Sequence, residues 1–111
     1  MPFLTIKTNG FCNDVEIADK AAVLSADILG KPLKVVAVDL QYNAQMAFDG
    51  SRQKKGAWIE LAAIGFKDKD AVVKALTDFA EQSFGAERDL ICVRLIDLQK
   101  ADVAHGGNLL G

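Results

Sequence analysis

The 111-residue sequence predicts an α/β chain, more closely an α+β sandwich, in which duplicated βαβ units form a four-stranded mixed sheet with two helices on one face. Three observations predict it: apolar segments of strand length, two stripes of helical period between them, and a repeat. Gly10-Phe11 recurs as Gly65-Phe66, a shift of 55 residues. The same shift carries Asn13 onto Asp68, Gly30 onto Gly85, and VVAVDL, from Val35, onto LICVRL, from Leu90. Order and spacing are both kept. The chain therefore reads as one domain, 1–111, with an internal repeat of approximately 2–50 and 57–105.

The first strand runs through Phe3, Leu4, Thr5, Ile6, Lys7 and Thr8, and Pro2 stands before it. Proline has no amide hydrogen for a ladder, yet it is tolerated where a strand begins. The first helix is expected from Asp14 to Leu29, with Asn13 as N-cap and Glu16 three residues on as a variant capping box. Ile17, Ala21, Leu24 and Ile28 recur at intervals of three and four and give it one buried stripe. VVAVDL is the second strand. The connector DGSRQKK, Asp49 to Lys55, reads as a solvated turn. AWIELAAI is the third strand. The second helix, Lys69 to Phe84, carries Val72, Leu76, Phe79 and Phe84 on its core side and stops before Gly85. LICVRL is the fourth strand. The tail AHGGNLLG is too rich in glycine for a long helix and suits a short edge strand or the rim of a neighbouring subunit's pocket.

Helical crossovers join parallel neighbours and are right-handed in nearly all cases. VVAV, AWIELAAI and LICV are nearly continuous apolar runs, the pattern of strands buried on both faces. Both helices occupy one face, so a further copy of the chain is expected on the other, giving a homo-oligomer.

Composition narrows the function. Half the residues are hydrophobic and 25% charged, as in a folded globular domain, and the formal net charge of -2 leaves no basic footprint for nucleic acid or an anionic membrane. No basic stretch with an apolar leader and no apolar run of roughly 20 residues is present, so a cytoplasmic location is expected, with no membrane partner. Cys12 and Cys92 form no CxxC, and His105 is the single histidine. Metal, disulfide and serine-triad chemistry therefore have little support, and amines, backbone and carboxylates remain.

Topology brings such groups together. Strands of one βαβ unit start at the same end of the sheet, which puts Pro2 near the loop GKPL and its Lys31. An antiparallel second unit brings Ala63, Ile64 and Gly65 to that end too. Removal of Met1 would make the Pro2 nitrogen a secondary amine, and burial beside an ammonium would lower its pKa and leave it a neutral base. A strand-end amide could then stabilise an enolate oxygen. The plainer readings stay open: Pro2 as a strand opener, and Lys31 as an exposed lysine favoured by a helix C-terminus.

The ordered set Pro2, Thr8-Asn9, Gly30-Lys31-Pro32, Ala37-Val38, Met46-Ala47-Phe48 with Gly50-Ser51, Ile64-Gly65, Asp97 and Ala101 to Val103 resembles the macrophage migration inhibitory factor family of the tautomerase superfamily, over essentially the whole chain. The resemblance implies a homotrimer with sites at subunit boundaries and keto-enol tautomerisation of phenylpyruvate-like α-keto acids. It implies Pro2 as general base, Lys31 as substrate-binding cation, Ile64 as a backbone contact, and no cofactor. Phe3, following the base, reads as a packing residue that also touches substrate.

The departures bear on function. Cys92 and Arg94 stand where animal members carry a pocket tyrosine and asparagine, and His105 stands where they carry a tryptophan. Cys92 reads as a small buried hydrophobe. Arg94 reads either as a surface ion-pair residue or as a bidentate grip on a substrate carboxylate. The segment Gly56-Ala57-Trp58-Ile59 replaces the thiol-redox motif of the animal cytokine and has no cysteine, so no oxidoreductase activity is expected from it. Two other readings remain: a binding or signalling protein with vestigial catalysis, whose receptor the resemblance does not name, and a proline-dependent hydratase of small unsaturated acids.

Overall fold

Alternation of period two decides which way each strand faces. In the computed structural model, which describes all residues from 1 to 111, the main elements are β1 (Phe3–Thr8), α1 (Ile17–Leu29), β2 (Ala37–Tyr42), β3 (Ala57–Ala63), α2 (Lys69–Phe84) and β4 (Ile91–Asp97). Leu4, Ile6, Ile59, Leu61 and Ala63 point to one side of the sheet and are buried. The helices cover that side with Ala21 of α1 and Val72, Leu76, Ala80 and Phe84 of α2, and Ile17, Leu24, Ile28 and Phe79 close its margin. Full burial of a Leu or Ile side chain contributes about 1.5–3 kcal/mol, so this interdigitated layer is the main source of stability.

The strand order is β2-β1-β3-β4. The pairs β1–β2 and β3–β4 are parallel, and the central β1–β3 pair is antiparallel, with Phe3 opposite Ala62 and Thr8 opposite Ala57. This is the mixed sheet that two βαβ units are expected to give. The repeat extends to details: three-residue 3-10 turns at Leu33–Val35 and Arg88–Leu90 lead into β2 and β4, and Gly30 and Gly85 end the helices at φ 63° and 62°. Val35 and Leu90, expected as first residues of strands, therefore belong to those turns.

The helix starts differ between the units. Asp68 caps α2 by accepting the Ala71 amide at 3.0 Å. Its counterpart Asn13 does not cap α1, which begins at Ile17 rather than Asp14, with Glu16 at the N-cap and no side-chain cap bond. Asp14 instead accepts the Glu16 amide at 2.9 Å and pairs with Lys20. A tight turn closed by Asp14 takes up the residues expected as the first helical turn.

The connector between the units turns through Asp49 and Gly50, both at positive φ, and its charged side chains are exposed. Its backbone is tied down by the buried Asn9, whose Nδ2 donates to the carbonyls of Met46 and Lys54 at 3.0 and 2.8 Å while Oδ1 accepts the Gly56 amide at 3.0 Å. The tail forms a small hairpin, β5 (Ala104–His105) against β6 (Asn108–Leu109). No helix is long and apolar enough to cross a membrane.

Candidate active site

Four chain segments meet at the end of the sheet where β1 begins. Pro2 is buried there, and its carbonyl accepts the Ala37 amide at 3.0 Å, which locks the first residues of β1 onto the entry to β2. Lys31 lies just upstream of that entry, between the glycine that ends α1 and Pro32, and its amide donates to the Ala26 carbonyl at 3.0 Å. β3 ends beside β1, so Ala63 and the half-buried Ile64 reach the same end. β4 ends there too: Asp97 Oδ1 accepts the Gly65 amide at 3.1 Å, and the Leu98 amide donates to the Ala63 carbonyl at 2.8 Å. These two bonds fix the backbone on either side of Ile64. Pro2, Lys31 and Ile64 are thus carried to one end of the sheet by topology and register.

Phe3 shares this end and points away from the helices, 40% exposed. That open face is less apolar than the continuous runs of the sequence suggest. Across it, Ala37, Phe3, Ala62 and Ile96 make an apolar row at the Pro2 end. The next row is Asp39, Thr5, Glu60 and Arg94, and the third is Gln41, Lys7, Trp58 and Cys92. Apolar strand runs conceal this pattern because small and large residues alternate with isolated charges. Lys7 Nζ sits 5.7 Å from the Trp58 ring centroid, within cation–π range.

Arg94 is not brought to Pro2 within one protomer. Strand spacing and rise put them about 14 Å apart, two strands across and three residues along. Arg94 instead donates from Nη1 to Glu60 Oε1 at 2.8 Å, its own side chain 61% exposed and that of Glu60 32%. Cys92, expected as a buried hydrophobe, is exposed in the protomer and lines an open apolar hollow with Met46, Ala47, Phe48 and Trp58. His105 is exposed on the terminal hairpin. Glu60 carries a sequence signal for the open face, because it stands two positions from Trp58 and two from Ala62 on a strand of period two.

No three residues among His, Cys, Asp and Glu gather as a metal-ligand group. The carboxyl groups whose titration is displaced all lie on the outer surface. Hydrogen bonds from Lys20, Lys54 and Arg88 hold Asp14, Asp49 and Asp78 below the ordinary aspartate value of 3.8.

The model of the family described as macrophage migration inhibitory factor (MIF) matches residues 1–111. A macrophage migration inhibitory factor homolog of Trichinella spiralis is 29% identical over 113 residues, covering 96% of this chain and 97% of that protein. The solved macrophage migration inhibitory factor of Oncomelania hupensis superposes with a TM-score of 0.89 at 22% identity, over 100% of this chain and 83% of the other. A fused 4-OT wild type symmetric trimer superposes with a TM-score of 0.80 at 20% identity, over 97% and 94%. The last two likenesses establish the fold.

Proposed function

The chain belongs to the macrophage migration inhibitory factor family, and on that premise we propose that it is a phenylpyruvate-type keto-enol tautomerase whose general base is the N-terminal amine of Pro2 after removal of Met1. The observation that carries this reading is the burial of Pro2. A second residue tends to fray, yet this one is fully enclosed where three other chain segments meet.

In this mechanism the Pro2 nitrogen, kept neutral by its apolar surroundings, takes a proton from the carbon beside the ketone. The electron pair moves onto the carbonyl oxygen, and the proton returns to that oxygen to give the enol; the reverse direction uses the same groups. Lys31 attracts the substrate carboxylate, and the backbone at Ile64 contacts the substrate where β3 ends. Phe3 flanks the reacting carbon. The residues suffice without a cofactor, because one base and one electrostatic clamp complete the proton transfer.

The assembly in this reading is a homotrimer. It is supported by the open sheet face with its apolar row and by the symmetric trimer that shares the fold. Sites then form at subunit boundaries, and the Arg94 that faces a given Pro2 belongs to the next protomer. There it grips the substrate carboxylate through guanidinium donors that Glu60 leaves unused.

Rates with phenylpyruvate, its hydroxylated analogue and small unsaturated acids, measured side by side on protein shown by intact mass to lack Met1, test the reading. Tautomerisation of the two keto acids is the expected result. Turnover of the unsaturated acids alone would assign the site to hydration, and no turnover of any would favour a binding protein.

A further inference from the structure

Glu60 and Arg94 are register partners on adjacent parallel strands, and they share a hydrogen bond of 2.8 Å from Nη1 to Oε1. That is the single side-chain bond Arg94 makes to its own chain, so Nη2 and Nε remain as a fork of donors. The other charges of the open face are placed differently. Lys7 lies over Trp58, and Asp39, on the far edge strand, accepts a bond from Gln41 at 2.8 Å.

We infer that Glu60 is a specificity-determining residue that sets this site for a monocarboxylate and against a dicarboxylate. The inference rests on the proposed role of Arg94 in holding a substrate carboxylate. The Arg94–Glu60 pair carries no net charge, but the free fork of its guanidinium still makes two hydrogen bonds to a second carboxylate. One carboxylate is therefore accepted on geometry. Lys31 answers the one charge of a monocarboxylate, and Lys7 is held over Trp58 in the row farther from Pro2, so a further negative charge on the ligand meets the fixed charge of Glu60 with no cation left over to offset it. No residue of the apolar row Ala37, Phe3, Ala62 and Ile96 compensates that charge. The bound acid is thus expected to be anionic at one end and neutral, apolar or aromatic at the other.

Two unreactive acids separate charge from chemistry: 3-phenylpropionate, a monoanion, and phenylsuccinate, a dianion. Their affinities are measured by calorimetry at neutral pH and low salt on the assembled protein, as wild type, Glu60→Gln, Glu60→Asp and Arg94→Ala. Wild type should prefer the monoanion. Glu60→Gln keeps an acceptor for Nη1 but removes the charge, and should shift the preference toward the dianion by about 3- to 10-fold. Glu60→Asp retains the charge and should retain the wild-type preference, which a merely structural role of the side chain would not require. A preference that moves by less than twofold in Glu60→Gln overturns the inference. So does failure of wild type to bind either acid, or binding of both unchanged in Arg94→Ala. Because neither acid reacts, a missing tautomerase activity counts against the function of Pro2 and leaves this result standing.

Discussion

Asn9 reaches across 47 positions of sequence to accept the Gly56 amide at 3.0 Å, joining the end of β1 to the start of the second unit. The same side chain donates to the Met46 and Lys54 carbonyls, so one buried amide holds the whole connector against the sheet. Asn9→Ala should leave several of these groups without partners and cost about 2–4 kcal/mol, since each orphaned buried polar group costs about 1–3 kcal/mol. Urea unfolding followed by circular dichroism measures it. A loss under 0.5 kcal/mol, on the order of an ordinary surface change, would show that water replaces the clamp.

Two glycines that look alike in sequence have different physical reasons. A Cβ on Gly10 would fall on the carbonyl oxygen of Phe84, whereas Gly30 has open space around it and is confined by a φ of 63°. Asparagine tolerates that left-handed conformation, so Gly30→Asn should cost less than about 1 kcal/mol. Gly10→Asn must push the end of α2 away and should cost about 1–3 kcal/mol or more. Equal losses in the two variants, read from thermal melting, would contradict this assignment.

The repeat was legible because both units must solve the same problem of turning a helix back onto a sheet, and Gly30 and Gly85 are read directly from that need. Helix starts were less legible. Asn13 and Asp68 are equally good cap candidates, and the choice fell to the short-range competition of Asp14 for the Glu16 amide. The placement of Pro2, Lys31 and Ile64 at one end of the sheet followed from strand direction alone. The Glu60–Arg94 pair, 34 positions apart in sequence, depended on the register between β3 and β4, which no local pattern specifies.

Acid should weaken the fold through three exposed aspartates. Bonds from Lys20, Lys54 and Arg88 lower the carboxyl groups of Asp14, Asp49 and Asp78 below 3.8, the value near which they titrate when unfolded. Their contribution is therefore complete above that value and is lost as pH falls through the lower values of the folded state. Because all three are exposed, the effect is small and salt suppresses it. Replacing all three by Asn should flatten the decline in urea midpoint below pH 4 and reduce its salt dependence. An unchanged slope would place acid sensitivity elsewhere.

Arg94→Ala tests the contact proposed across the subunit boundary. A cation that holds the carboxylate equally in ground and transition states contributes to KM and little to kcat. KM for phenylpyruvate should rise by about tenfold, with kcat within about threefold, in a variant that still sediments as wild type does. Unchanged constants would leave Arg94 with only its bond to Glu60.

The burial of Pro2 makes the strongest demand on chemistry at the N-terminus. While Met1 remains, the proline nitrogen is a tertiary amide and has no basicity, so protein retaining Met1 should fold and assemble yet show no tautomerisation. Pro2→Gly frees an amine once Met1 is removed but loses the rigid ring that aims it. General base catalysis is worth about 10²–10⁴-fold, so a fall of that order in kcat with an intact fold is expected. The pH profile of kcat/KM should report a group ionising well below an ordinary secondary amine, shifted first by burial and then by Lys31. Lys31→Ala should move that ionisation upward, since it removes like-charge repulsion, while also raising KM. Full activity in Pro2→Gly lacking Met1, or in protein that retains Met1, would reduce Pro2 to a residue that merely opens β1.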